Sequence, residues 1–388
     1  MPCLAATAAF FLTLLITLAA NGLGVLRWRA AREAHWTEQA RKLFPIRRSA
    51  ALNIWLVPAV CTLLDWIIFP EDQHFSALLA VFVAGWVGAT LGTYPLTKAL
   101  FPEFSFYGWL RSLVAGWLLR SGFWGVLIFT AVIMPEEIGW EALVLGALVL
   151  AFQIALSYGL WVWVGSKLGI FTRAQPSEPV SEIVRRTSQK MQIPWRVIWK
   201  WRSPIGYAAA LPITGDLIFS DGLLNTHPDE EIAAITAHEL AHLNEPRNIH
   251  RARLISSLSF LPFVFIRPAF HIFDWATIAF LWIPAALFGV YTRQMARRME
   301  ERADSIASGT GEPSVVYTRA LERLYRNNHM PAVMPGDRHV HPHLYDRMIT
   351  AGTTPDYPRP EAPQTLDWTS GLLMLLLTLL FTAILAMH

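Results

Sequence analysis

In this 388-residue sequence the residues whose types and spacing best suit a reaction are His238-Glu239-Leu240-Ala241-His242. On a helix, histidines four apart share one face, so both imidazoles reach a single Zn²⁺. The glutamate between them projects near the metal's open position, where it can take a proton from bound water. That is hydrolytic chemistry. Two histidines leave such a site short of a protein ligand, because a catalytic zinc uses three and keeps the fourth place for water. Candidates for the third stand further along, in the acidic cluster Glu300-Glu301-Arg302-Ala303-Asp304, which lies in a segment of helical character.

The flanking residues predict the element that carries the motif. Asp229, Glu230 and Glu231 suit a helix N-terminus, Ile232-Ala233-Ala234-Ile235 supplies an apolar face, and Asn244-Glu245-Pro246 offers a stop. Before it, Leu217-Ile218-Phe219-Ser220 reads as a short strand closed by Asp221-Gly222, and Ile205 to Ile213 as a second strand. A sheet edge beside the metal can hold a substrate in extended form through main-chain hydrogen bonds.

Composition sets the surroundings. The chain is 54% hydrophobic and 16% charged, with a mean hydropathy of +0.36, too apolar for a soluble domain of this length. Apolar stretches long enough to span a bilayer run at about Leu4 to Leu26, Ala51 to Phe69, Ser76 to Ala99, Leu113 to Met134, Ala142 to Val164, Leu254 to Phe270, Trp275 to Tyr291 and Trp368 to Met387. The first has no basic residues before it, so it reads as a retained membrane helix and not as a cleaved signal. Arg120, inside the fourth, reads as a snorkelling end residue. Arg267, Pro268, His271 and Asp274 interrupt Leu254 to Tyr291, which therefore reads as a helical hairpin. Cys3 and Cys61 lie far apart in apolar stretches and imply no disulfide. The formal net charge is only +3, and no phosphate-reading motif is present, so nucleic acid is not an expected partner.

The basic residues instead sort the loops. Arg27, Arg29, Arg32, Arg41, Lys42, Arg47 and Arg48 mark the first loop as cytoplasmic, whereas the loops 70–75 and 135–141 carry only acidic charges and face outward. Lys98 and Arg111, then Lys167 and Arg173, are inward again. Arg293, Arg297 and Arg298 return the chain to that side after the hairpin. The expected organisation is a multi-span region over 1–165, a block with the zinc helix over 166–253, a membrane hairpin over 254–292, a second polar block over 293–367 and a last span over 368–388. The two polar blocks can then build one cytoplasmic domain. Pro355, Pro358, Pro360 and Pro363 suggest an extended linker before the last span.

With the motif, the hairpin and the acidic cluster in this order, the sequence resembles the family of integral-membrane zinc metallopeptidases that contains the type 1 CAAX prenyl endopeptidases and the HtpX-like heat-shock proteases, which are gluzincins. Their pattern is His-Glu-x-x-His, a membrane hairpin, then Glu-x-x-Ala-Asp. The resemblance implies that Glu300 is the third zinc ligand and that Asp304, one helical turn on, orients a ligand histidine. Gly215 to Leu224 resembles the strand and Gly-Leu-Leu turn before the family's zinc helix. His341-Pro342 followed by Arg347 resembles its late His-Pro-x(n)-Arg element, which implies a role near substrate or metal; the run His329, His339, His341, His343 also fits simple exposure or incidental metal binding. Where the family has an Asn-Ala-Phe-like strand, this chain has Gly206-Tyr207-Ala208-Ala209-Ala210.

The expected fold is thus mainly α, a polytopic helical membrane bundle with a cytoplasmic zincin-type α+β metallopeptidase domain. The expected function is zinc-dependent cleavage of peptides or membrane-protein segments, with one Zn²⁺ per chain, held by His238, His242 and Glu300, and with Glu239 as base. The resemblance alone implies His341 or Arg347 as the oxyanion partner, and the bilayer and a peptide or membrane-protein substrate are the expected partners. The alternatives are an intramembrane or signalling metalloprotease, and a non-catalytic scaffold or transporter with a structural zinc. Charges flanking the motif speak against an intramembrane protease, no separate extracytoplasmic sensor domain is evident for a signalling one, and the intact Glu239 speaks against the scaffold.

Overall fold

The computed structural model describes residues 2–68, 75–120, 122–309, 314–336 and 343–368, with residues 371, 372, 375 and 379. His341, the loop 70–74, the side chains of Cys3 and Arg120 and most of the expected last span lie outside the described residues. The chain divides into two compact units, residues 1–106 with 325–337 and 356–388, and residues 107–324 with 338–355.

In the first unit, α1 (Pro2–Ala30), α2 (Trp36–Ile68), α3 (Phe75–Leu91) and α4 (Tyr94–Leu100) pack together. Small residues let α1 and α3 approach closely, as helices in a bilayer do when lipid provides no hydrophobic drive. A Cβ at Gly88 would run into the Phe10 carbonyl and the Thr13 hydroxyl, and the same Thr13 hydroxyl donates to the Gly85 carbonyl at 2.8 Å. The basic stretch expected as the first loop is mostly helix: Arg41 to Arg48 form the early turns of α2, where Glu38 ties Arg41 at 2.7 Å and Lys42 at 3.5 Å. Such i,i+3 and i,i+4 pairs allow a charged stretch to continue an apolar helix.

The second unit begins with helices α5 (Phe106–Arg120), α6 (Gly122–Ile133), α7 (Trp140–Ser157) and α8 (Leu160–Lys167). The stretch expected as the single span Ala142 to Val164 is broken between α7 and α8 at Gly159, whose φ of +87° is open to glycine and strained for most other residues. A four-stranded sheet follows, built from β1 (Phe171–Arg173), β2 (Ile198–Trp201), β3 (Ala208–Leu211) and β4 (Asp216–Ser220) in the order β1-β2-β4-β3. β2 and β4 are parallel and the other neighbours antiparallel. The central β4 is buried along its whole length, which explains its run of Leu217, Ile218 and Phe219. The amphipathic helix α9 (Pro179–Met191) covers this core with Val180, Ile183 and Val184.

The elements that lead to the motif follow from local chemistry. Ser220 ends β4 and caps α10 (Asp221–Thr226), its hydroxyl accepting from the Leu223 amide at 3.2 Å. Gly222 lies against the Pro204 carbonyl, which leaves no room for a Cβ. Then comes α11 (Asp229–Leu243), whose Ile232, Ile235 and Leu240 join the core and whose Glu231 binds Arg323 through both oxygens at 2.7 and 3.1 Å. After α12 (Arg247–Leu258), a 3₁₀ segment at Leu261–Phe265 and α13 (Ile266–Phe273), the chain turns at Asp274, φ +48°, into the long α14 (Ala276–Gly309). The elements α15 (Ser314–Asn327) and α16 (Leu344–Thr350) complete the described helices.

Five helical segments among the described residues are long and apolar enough to cross a membrane: Ala5–Ala30, Ala77–Leu100, Trp140–Ser157, Arg247–Phe273 and Ala276–Gly309. Gly122–Ile133 is a shorter apolar helix. Large apolar side chains face outward on these segments, for example Trp140, Leu143, Trp282 and Leu287. A water-facing surface would not favour so many, and a lipid-facing one does.

Candidate active site

His238 and His242 sit on the same buried face of α11, which packs on α14, α9 and β3. Their Nε2 atoms face each other at 3.2 Å. From α14, Glu300 brings Oε2 to 3.5 Å from Nε2 of His238 and Oε1 to 3.5 Å from Nε2 of His242. These three residues form the one His/Cys/Asp/Glu group among the described residues whose ligand atoms converge closely enough to hold a metal ion.

The neighbouring Glu301 points elsewhere. It is half exposed and pairs with Arg297 at 3.1 Å. Arg302, the next residue, turns back toward the C-terminal carbonyls of α11 at Ala241 and Asn244, both at 3.4 Å.

The far side of each imidazole is also engaged. Nδ1 of His242 lies 2.7 Å from Oε1 of Glu245. A carboxylate only accepts, so that nitrogen carries the proton and Nε2 presents its lone pair. Nδ1 of His238 lies 2.8 Å from the Tyr317 hydroxyl and 3.1 Å from Oδ1 of Asp304. The Tyr317 hydroxyl donates to Asp304 at 2.6 Å, and Arg347 grips Asp304 from its Nε and Nη2 at 2.7 and 2.6 Å. Both His238 and His242 therefore turn a lone pair toward Glu300.

Two lone pairs and a carboxylate converging on one point repel each other unless a cation lies between them. Tetrahedral zinc with ligands at about 2.0–2.1 Å separates neighbouring ligand atoms by about 3.3 Å, and the observed separations are 3.2, 3.5 and 3.5 Å. The residues therefore fit a zinc ion. The field agrees: burial opposes charge on His238, but Asp304, Glu300 and Glu239 outweigh it and lift its pKa to about 9. The pocket thus favours positive charge at His238, supplied by a proton or, where its Nε2 lone pair is used, by a bound cation.

Glu239 is buried between the histidines and the sheet edge. Burial raises its pKa, the nearby histidines oppose the rise, and the Ala210 amide of β3 helps to hold its charge. A carboxylate with a raised pKa beside a metal position is suited to accept and return a proton. Along β3 the pairing to β4 runs through Tyr207, whose carbonyl accepts from the Ser220 amide at 2.9 Å, and through the register Ala209 with Ile218 and Leu211 with Asp216. Antiparallel alternation then turns the amides and carbonyls of Ala208 and Ala210 away from the sheet.

Of the residues expected from the sequence, His238, Glu239, His242, Glu300, Asp304 and Arg347 come together in the second unit, and His341 is outside the described residues. Arg347 is spent on Asp304 and on the Tyr317 hydroxyl, at 2.9 Å, and is only 8% exposed. Three residues of the arrangement carried no expected role. Glu245 read as part of a helix stop, and its spacing of three from His242 was the available signal; Arg253, whose Nη2 donates to Glu245 at 2.7 Å, and Tyr317 reach the site through tertiary packing and had none.

Comparison with known proteins places these observations. Residues 174–354 match the sequence profile of peptidase family M48. The fold is similar to the crystal structure of Ste24p from S. mikatae, with a TM-score of 0.52 and 16% identity, over 90% of this chain and 98% of that one. No curated protein sequence matches. The motif-bearing segment and the shared fold agree: residues 174–354, just under half of the chain, match peptidase family M48, and the protein is a zinc metallopeptidase with helices apolar enough to cross a membrane.

Proposed function

We propose that the protein is an endopeptidase with a single zinc ion, held by His238, His242 and Glu300, that cleaves peptides or membrane-protein segments at the cytoplasmic face of the membrane. The observation that carries this reading is the convergence of two imidazole lone pairs and one carboxylate at tetrahedral spacing beside the buried Glu239. Bound zinc would polarise the scissile carbonyl and lower the pKa of a water at the open position.

The chain's own residues do the rest. Glu239 takes the proton from the attacking water and delivers it to the leaving amine. Ala208, through its amide and carbonyl, and Ala210, through its carbonyl, offer outward main-chain groups that hold the substrate as an added strand, while the Ala210 amide stays on Glu239. Asp304, braced by Arg347 and Tyr317, fixes the orientation of His238. With Arg347 engaged there, His341 is the remaining expected partner for the oxyanion. The cytoplasmic side follows from the basic residues between the expected spans.

Full-length protein in detergent should cleave an unstructured peptide, stop when zinc is chelated and recover with one equivalent of zinc per chain. Glu239→Gln should keep near-stoichiometric zinc while the cleavage rate falls by roughly two to four orders of magnitude. Undiminished cleavage by the zinc-loaded variant would overturn the assignment of the base.

A further inference from the structure

The two imidazoles are held differently. Asp304 and Tyr317 reach His238 from other helices, whereas His242 is gripped by its own chain three residues on. Glu245 follows the C-terminal cap of α11 at Asn244, and Pro246, with φ −57° and ψ 144°, turns the chain into α12. That turn brings Arg253 back to Glu245. Oε1 of Glu245 then accepts from both Nδ1 of His242 and Nη2 of Arg253, each at 2.7 Å.

Stability alone is a poor reason for this carboxylate. Just past a helix C-terminus it faces the negative end of the helix dipole, where a cation is preferred. Its side chain is 1% exposed, so its charge is also withdrawn from water. Two ion pairs that tie elements together elsewhere in this unit, Arg323 with Glu231 and Arg196 with Asp216, use both oxygens. Glu245 instead places both partners on Oε1, and its Oε2 is buried with no hydrogen-bond partner among the described residues. The oxygen that meets Arg253 is thus the one that His242 already uses.

We propose that Glu245 is a positioning residue for His242. Its carboxylate holds the proton on Nδ1, which fixes the tautomer whose Nε2 lone pair faces Glu300 and His238, and Arg253 keeps the carboxylate aimed. The proposal rests on the zinc reading above and adds a second carboxylate–histidine pair, supported like the first by an arginine.

The test uses full-length protein in detergent, with zinc affinity measured by competition with a chelator and ligand geometry followed by the visible spectrum of the cobalt(II)-substituted protein. Glu245→Ala should weaken zinc binding roughly ten- to a hundred-fold and change the cobalt spectrum. Glu245→Gln, which keeps an acceptor oxygen at the same reach, should recover most of the affinity. Arg253→Met should weaken zinc binding less than Glu245→Ala does. If Glu245 merely ties α11 to α12, Glu245→Ala and Arg253→Met will lower the melting temperature alike and leave zinc affinity and cobalt spectrum unchanged, which overturns the proposal. Should Glu245→Ala not fold, Glu245→Asp decides: it keeps the charge for Arg253 but withdraws the oxygen from His242, so an unchanged cobalt spectrum and affinity again overturn it. Failure of the zinc reading has its own signature, wild-type zinc affinity in His242→Ala, and that result overturns both.

Discussion

Glu300 and Glu301 are chemically identical neighbours, and only helix geometry separates them. Successive residues point about 100° apart around a helix, and here Glu300 faces both histidines while Glu301 faces Arg297 and solvent. Glu300→Ala should therefore purify zinc-poor and inactive, as expected when a third ligand is lost. Glu301→Ala loses only an exposed pair worth about 0–1 kcal/mol, so it should keep zinc and most activity. Metal analysis of the two variants checks this, and the reverse pattern would move the ligand one residue along. Tyr317→Phe makes a second test at this scale. It keeps the ring but removes a hydroxyl that touches Asp304, Arg347 and His238, and leaving buried partners unsatisfied costs about 1–3 kcal/mol. Thermal unfolding should show that loss, and zinc retention against a chelator should fall with it. The i,i+4 histidines were legible because helical spacing alone puts them on one face. Tyr317 and Arg253 were not, because their distances to the site depend on how α15 and α12 pack.

The strand β3 shows what element-level reasoning can add. Its neighbour in sequence, β4, was legible from Leu217 to Ser220, and the second strand was placed within Ile205 to Ile213, where Ala208–Leu211 forms. The strands β1 and β2 were not anticipated; three and four residues long, they gain their order from pairing with distant segments. Alternation along β3 then predicts opposite outcomes for two adjacent alanines. The amide of Ala209 is committed to β4 and that of Ala208 turns outward. Ala209→Pro removes a ladder hydrogen bond and should lower the melting temperature by several degrees. Ala208→Pro leaves the ladder intact on an edge strand that tolerates proline, so the fold should survive while KM for an extended peptide rises. Equal KM for Ala208→Pro and the wild type would remove β3 as the substrate's docking edge.

At the scale of the whole molecule, hydropathy located membrane helices more readily than it located their ends. Among the described residues the expected span Ala51 to Phe69 forms the apolar half of α2, whose other half is charged, and Leu113 to Met134 is divided between α5 and α6. Composition reports the lipid-facing surface, whereas breaks such as Gly159 and Asp274 depend on single dihedral angles. Orientation rests on a different signal, the distribution of basic residues. The loop 135–139 between α6 and α7 contains Glu136 and Glu137 and no lysine or arginine, while α8 ends on Lys167 and the region after it contains Arg173, Arg185 and Arg186. Basic loops near span ends are retained in the cytoplasm, and acidic charges contribute little to that choice, so the two regions should lie on opposite sides, with the zinc helix on the basic side. Glu137 and Gln189 are both exposed, which makes them suitable for single cysteines in a background where Cys3 and Cys61 are replaced. In intact cells a membrane-impermeant thiol reagent should label the cysteine at 137 and should reach the one at 189 only after the membrane is permeabilised. Labelling of the cysteine at 189 from outside intact cells would put the peptidase site on the outer face, and its substrates would then have to be sought among extracytoplasmic segments.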